Sequence, residues 1–201
     1  MPSVTKPSKR EITRDKVISA AIDAIYSEGF HAAHTNRIAE EAGVSWGVLQ
    51  YHFGDKDGLL QAVIDHIFEN FESTLAATTL QGHDLNQRVR QLIEVIWGLV
   101  SKKEYRVSLA ILRNAGKDDN SSINGQKQLN RWAKKISDFW QRLLDDQNIT
   151  TGNSEVARHL LFAALRGMAD EINPRNNRTR KAISEECDAL SEAITFLLKR
   201  Q

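Results

Sequence analysis

Cysteine is almost missing from this chain of 201 residues: Cys187 stands alone, which excludes an internal disulfide and a cysteine-rich zinc site. Prolines are few; Pro2 and Pro7 lie in a polar opening stretch and Pro174 follows a helical pattern. Long apolar runs are absent as well. The longest, residues 160–165, falls far short of the ~18 residues of a membrane span. The start MPSVTKPSKR has no apolar segment of the kind a secretory leader needs, so the reading expects no membrane association and a cytoplasmic location. An excess charge of either sign is also lacking. The net charge of +1 provides no global basic field, so any nucleic-acid affinity must come from a local patch. No glycine-rich phosphate loop or zinc signature occurs, and no Glu-x-x-His pair supports a di-iron bundle. His31 and His34 stand three apart, at a loop and a helix start. No catalytic residue, cofactor or metal is expected, and the chain is not read as an enzyme.

What is present is helical. A composition 41% hydrophobic and 26% charged is that of an ordinary globular protein, and apolar residues recur at helical spacing along nearly the whole chain. The expected class is all-α with about nine helices. A flexible basic arm over residues 1–12 precedes a helix-turn-helix domain over 13–55 and a ligand-sensing and dimerisation domain over 56–201. The basic patch falls at the start, where Lys6, Lys9, Arg10, Arg14 and Lys16 face only Glu11 and Asp15 within residues 1–16. The first helix is expected from Thr13, as N-cap, to Gly29, with Val17, Ile18, Ala21, Ile22 and Ile25 buried. Asp55 is expected to cap a long helix reaching about residue 77. Loops are expected near residues 81–84, 116–120, 150–153 and 173–178, the last because Pro174 disfavours helix in the residue before it.

Residues 34–53, HTNRIAEEAGVSWGVLQYHF, carry the strongest signal. They read as two short helices joined at Gly43, the first capped by Thr35 and the second starting at Ser45. Ala39 and Gly43 permit close helix approach. Val44 and Leu49 pack inward, and Val48, Leu49 and Phe53 are assigned to the buried side of the second helix. That helix has almost no charge and leaves Trp46, Gln50, Tyr51 and His52 to face outward. Such a helix suits the major groove of DNA, with neighbouring residues gripping phosphates to set its register.

The run from Thr35 to Leu60 resembles the N-terminal domain of TetR/AcrR-family transcriptional regulators. The resemblance rests on Ile38-Ala39-x-x-Ala42-Gly43-Val44-Ser45, the glycine two after the serine, the aromatic cluster ending at Phe53, Lys56, and the leucines that follow. The preceding Glu28-Gly29-Phe30 also fits, and the close match covers roughly residues 13–70. The resemblance implies that Thr35 caps its helix and holds a phosphate, with Asn36 and Arg37 beside it at the interface. It implies that Ser45, Trp46, Gly47 and Val48 approach the groove, that Tyr51 and His52 contact backbone phosphates, and that Lys56 binds a phosphate at a helix N-terminus. Trp46 departs from the family's common Lys or Thr, and Gln50 from its common Tyr. Gln50 has the amide geometry for bidentate pairing with adenine, and Trp46 the surface to pack on a thymine methyl or a sugar.

Beyond residue 84 the apolar stripes are longer and more aromatic. Leu160, Leu161, Ala164 and Met168, together with Ile183, Cys187, Leu190 and Ile194, follow heptad-like spacing. The resemblance implies that these two helices pair across a two-fold axis in a homodimer, which places two recognition helices in successive major grooves of a palindromic operator. The same stripes serve equally well as intrachain core. Trp97, Tyr105, Leu109, Arg113, Trp132, Phe139, Phe162 and Arg166 are candidates to line a cavity for a small-molecule effector. An arginine there would favour an anion, although an ion pair between Arg166 and Asp170 is the favoured reading of that residue. The expected function is that of a sequence-specific DNA-binding regulator, a repressor released by its effector through the helix starting near residue 56. The alternative is a helical ligand-binding or enzymatic protein whose helix-turn-helix is purely structural.

Overall fold

The computed structural model describes residues 8–32, 34–80, 84–115, 123, 125–144, 151–171 and 180–200. Among the described residues there are nine α-helices, one 3-10 turn and no strand. The expected loops at residues 81–83, 116–120, 150 and 173–178, and arm residues 1–7, lie outside the described residues.

The chain divides into two compact units. One takes in residues up to Asn70 together with Lys103–Leu129; the other takes in Phe71–Lys102 and everything from Asn130 onward. The first unit contains residues 13–55 and takes in residues 56–70 and a later helix as well.

The first unit starts with α1 (Lys9–Glu28). Ser8 caps it: its Oγ accepts from Glu11 N at 3.2 Å, and Glu11 Oε2 accepts from Ser8 N at 2.7 Å. This reciprocal pair satisfies two amides that the first turn leaves unpaired. The same contact holds the Glu11 carboxyl below the ordinary carboxylate range. Helix thus begins four residues before the expected cap and inside the expected arm. Thr13 is interior, its hydroxyl donating to Lys9 O at 2.9 Å. A 3-10 turn (Phe30–Ala32), α2 (Thr35–Glu41) and α3 (Trp46–Phe53) follow. Val17, Ile18, Ala21, Ile22 and Ile25 of α1 are buried, as are Ile38, Ala39 and Leu49. α1 packs against α2 and also against α6 (Lys103–Ala115). α6 contributes buried Tyr105, Val107 and Ile111, and Lys103 ties its first turn to Asp23 of α1. Each buried Leu or Ile is worth about 1.5–3 kcal/mol of transfer free energy, so this face dominates the stability of the unit.

The division falls within α4 (Lys56–Ala77) and α7 (Gly125–Leu144). In the second unit α5 (Leu85–Val100), α8 (Thr151–Glu171) and α9 (Arg180–Lys199) pack on one another. Val89, Leu92, Ile93 and Ile96 of α5, Ala157, Leu161 and Leu165 of α8, and Ile194 and Leu198 of α9 are all buried. Polar groups bound to this core have partners of their own. Trp140 Nε1 donates to Ser154 Oγ at 2.9 Å, which joins α7 to α8. Arg131 makes two 2.9 Å bonds to Glu72. Arg142 donates to the carbonyls of Leu75 and Thr78 and so satisfies the open end of α4. Arg90 pairs with Asp188 at 2.7 Å and fixes α5 to α9. Among the described residues no helix is long and apolar enough to cross a membrane.

Candidate nucleic-acid interface

The turn between α2 and α3 is built from backbone bonds. Val44 N donates to Ala39 O at 2.9 Å and Gly43 N to Glu40 O at 3.0 Å. Gly43 has φ +67°, a conformation that a side chain would strain. Ser45 then caps α3, its Oγ accepting from Val48 N at 3.3 Å. Leu49 and Phe53, four apart, are buried and seat α3 on the unit. The other six positions form three rows of residues four apart: Trp46 with Gln50, Gly47 with Tyr51, and Val48 with His52. Gly47 and Tyr51 lie most directly opposite the buried row. Trp46 is 50% exposed, Val48 36% and Tyr51 73%. Val48 therefore does not join Leu49 and Phe53 inside; around the helix it lies about 100° from Leu49 and about 140° from Phe53.

The turn after α3 is tight. Gly54 N donates to Gln50 O at 2.8 Å, and Asp55 Oδ1 accepts from Gly58 N at 2.8 Å. A Cβ at Gly58 would sit 2.0 Å from Phe53 O, so only glycine allows the first turn of α4 to come this close to the end of α3.

Two cations lie against aromatic rings of this helix, and a third follows it in the chain. Lys56 is the first residue of α4, and its ammonium stands 5.2 Å from the centre of the Phe30 ring. The guanidinium of Arg10 lies 5.8 Å from the Tyr51 ring and that of Arg14 lies 5.5 Å from the Phe53 ring. Both reach α3 from the first turns of α1. Their basic character is visible in the sequence, but their place beside α3 is not. The only available signal was the capping box Ser8-x-x-Glu11, which turns the presumed arm into helix.

Two residues on α2 depart from expectation. The N-cap is His34, without a side-chain cap bond, and Thr35 is the first helical residue. Arg37 is engaged: its Nε pairs with Glu41 at 2.9 Å and its terminal nitrogens with Glu28. These bonds raise the Arg37 pKa and hold the Glu28 carboxyl below its ordinary value. Arg37 thus clamps α2 to the end of α1. Asn36 is exposed and Thr35 half-buried.

The sequence candidates farther along divide between the two units. Tyr105, Leu109 and Arg113 belong to the first unit, whereas Trp97, Trp132, Phe139, Phe162 and Arg166 belong to the second. No single unit holds the whole proposed lining. Phe139 is fully buried, while Arg113 and Arg166 are exposed. Arg166 turns back on its own helix, its Nε donating to Phe162 O at 3.0 Å, and does not pair with Asp170. Of the expected dimer residues only Leu160 is exposed. Leu161 and Ile194 are intrachain core, and Ala164, Met168, Ile183, Cys187 and Leu190 are half-buried. Partial burial pushes the Cys187 thiol pKa up. Among the residues whose burial is described, the exposed apolar positions are Val156, Leu160, Ala163 and Gly167 on α8 and Ala189, Ala193 and Phe196 on α9, with Phe196 70% exposed.

Known proteins share this arrangement. The family model described as bacterial regulatory proteins, tetR family, matches residues 17–63. An HTH-type transcriptional regulator BetI from Vibrio parahaemolyticus is 33% identical over 206 residues, covering 98% of each chain. An HTH-type transcriptional repressor NicS from Pseudomonas putida is 32% identical over 85 residues, 42% of this chain and 40% of its own. Among solved structures, Salmonella enterica GusR superposes with a TM-score of 0.69 at 21% identity, covering 98% of this chain and 100% of its own. The match to a full-length regulator, together with a helix-turn-helix whose buried and exposed rows are both in place, shows that the chain belongs to the tetR family of bacterial regulatory proteins.

Proposed function

We propose that this regulator acts in the cytoplasm as a homodimeric repressor on a palindromic operator and is released by a small-molecule effector. The observation that carries the reading is α3 itself: an uncharged helix with Trp46, Gln50 and Tyr51 outward over buried Leu49 and Phe53, flanked by Arg10, Arg14 and Lys56. Base edges are met by Trp46, Gly47, Val48 and Gln50. Phosphates are held by Lys56, Tyr51 and Arg10, with Ser45, Asn36, His52 and Thr35 beside them. Arg37 serves the interface indirectly, through the Glu28 and Glu41 contacts that orient α2.

The second copy covers the exposed stripes of α8 and α9, centred on Leu160 and Phe196. Their apolar character supports burial against a like surface. The name repressor carried by the Pseudomonas putida relative supports the sign of regulation. The effector acts by favouring a dimer whose two recognition helices no longer match successive grooves, with α4, which passes from one unit into the other, as the transmitting element. Selection of bound duplexes from a random pool tests this. The expected product is an inverted repeat with half-sites about one helical turn apart, 10–10.5 base pairs, or a multiple of it. Enrichment of a single unrepeated site would overturn the two-fold arrangement, and no enrichment at all would overturn the DNA-reading role.

A further inference from the structure

We propose that this protein reads its operator through the 5-methyl groups of thymine, with Trp46 and Val48 as the contacting side chains. The inference rests on the DNA-binding reading above and names the base chemistry that the same helix accepts.

The first argument is elimination. In the major groove guanine is met by Arg or Lys, cytosine by Asp or Glu, adenine by Asn or Gln, and thymine by an apolar contact to its methyl group. α3 reads WGVLQYHF and contains no Asp, Glu, Lys or Arg. Tyr51 is engaged with the Arg10 guanidinium, and the His52 ring lies edge-on to Tyr51 and tilted against Phe53, with centroids 5.4 and 6.0 Å away. Gln50 is left for adenine, and Trp46 and Val48 for thymine.

Exposure gives the second argument. Scattered apolar side chains at a surface carry no message, whereas a concentration does. Nine large apolar side chains are exposed among the described residues, and three of them, Trp46, Val48 and Tyr51, stand on this one helix of eight residues.

Gly47 supplies the third. A Cβ there would meet only Ser45 Oγ, at an ordinary 3.9 Å, and φ is not positive. Nothing inside the chain requires glycine, although the residue weakens a helix. Its small size therefore serves what lies outside the chain. It sits in the central exposed row, with Trp46 on one flank and Val48 on the other, so the backbone can descend to the base edges and bring both side chains to methyl height. Trp46 and Gln50 share a row, which places the indole one turn from the adenine-reading amide.

The test uses a duplex that the protein has itself enriched from a random pool. Each thymine is replaced in turn by deoxyuridine, which removes the methyl group and leaves pairing intact. The expected result is about fourfold weaker binding at each contacted thymine, the value of one buried carbon unit. This sensitivity should vanish at one position in Trp46→Ala and at another in Val48→Ala. Both side chains are exposed, so both variants should fold, as thermal denaturation of each will confirm. Tight binding that is indifferent to every deoxyuridine overturns the inference and leaves the DNA-binding reading standing. Sensitivity that persists unchanged in both variants also overturns it, because the methyl groups are then read by another element. A pool that yields no enriched duplex removes the DNA-binding reading and this inference with it.

Discussion

Two glycines ten or so residues apart show how one residue type has opposite physical meanings. At Gly58 the surroundings forbid a side chain, because a Cβ would lie 2.0 Å from the Phe53 carbonyl oxygen. Gly58→Ala must push α4 away from the end of α3. We expect a loss of about 1–3 kcal/mol in thermal or urea unfolding, typical of overpacking, together with weaker DNA binding. At Gly47 the surroundings permit a side chain, so Gly47→Ala should gain about 0.5–1 kcal/mol of stability from helix propensity while weakening duplex binding. Stability and affinity moving in opposite directions is the expected signature; a variant that binds as tightly as the parent would show that the groove makes no demand at this position. Both glycines are plain in the sequence, but the difference between them is not. It depends on where the Phe53 carbonyl points, which only the folded turn determines. The exposure of Val48 was hidden for a similar reason, since an apolar residue beside Leu49 reads as core until the helix is seated.

Among the elements, α1 and α2 show what spacing reveals and what it conceals. The Ser8-x-x-Glu11 box is a local pattern and legible in principle, and it moves the helix start to Lys9. Ser8→Ala should cost about 1 kcal/mol, measurable as a lowered unfolding midpoint. The clamp between Glu28 and Arg37 joins residues nine apart across a turn, and no periodicity announces it. It has a pH signature. Arg37 holds the Glu28 carboxyl below its ordinary value of 4.5, so the folded state keeps this carboxylate charged further into acid than the unfolded chain does. The stabilisation is therefore complete above that ordinary value and is lost as pH falls through the lowered folded one. The difference in thermal midpoint between the parent and Glu28→Gln should be constant near neutrality and should shrink in acid below the ordinary value. A difference that grows on acidification would reverse the sign of this assignment. Helix existence and order were readable throughout because the apolar stripes are strong. Helix ends shifted by a few residues, where side-chain caps decide them.

At the level of the whole molecule, the all-helical class and the recognition segment were legible, whereas the exposed apolar faces of α8 and α9 were not. A heptad pattern marks apolar positions without saying whether the covering surface belongs to the same chain. Leu161 and Ile194 are covered by their own unit, and Phe196, absent from the pattern, is left exposed. Likewise the aromatic residues expected around one cavity divide between two compact units, because α6 joins α1. Phe196→Lys should yield a folded monomer in sedimentation and lower operator affinity by a factor on the order of 10²–10⁴, the usual gain from linking two binding modules. A dimer that survives this change would place the interface elsewhere.

The central claim, that α3 docks on DNA alongside Arg10, Arg14 and Lys56, is tested most directly by the salt dependence of duplex binding. Log affinity should fall linearly with log salt, with a slope of about −0.9 for each phosphate neutralised. Lys56→Ala should make that slope shallower by about 1 without altering sequence preference, whereas Gln50→Ala should alter preference at an unchanged slope. Binding that does not respond to salt, or a Lys56→Ala protein with the parent's slope, would contradict this account.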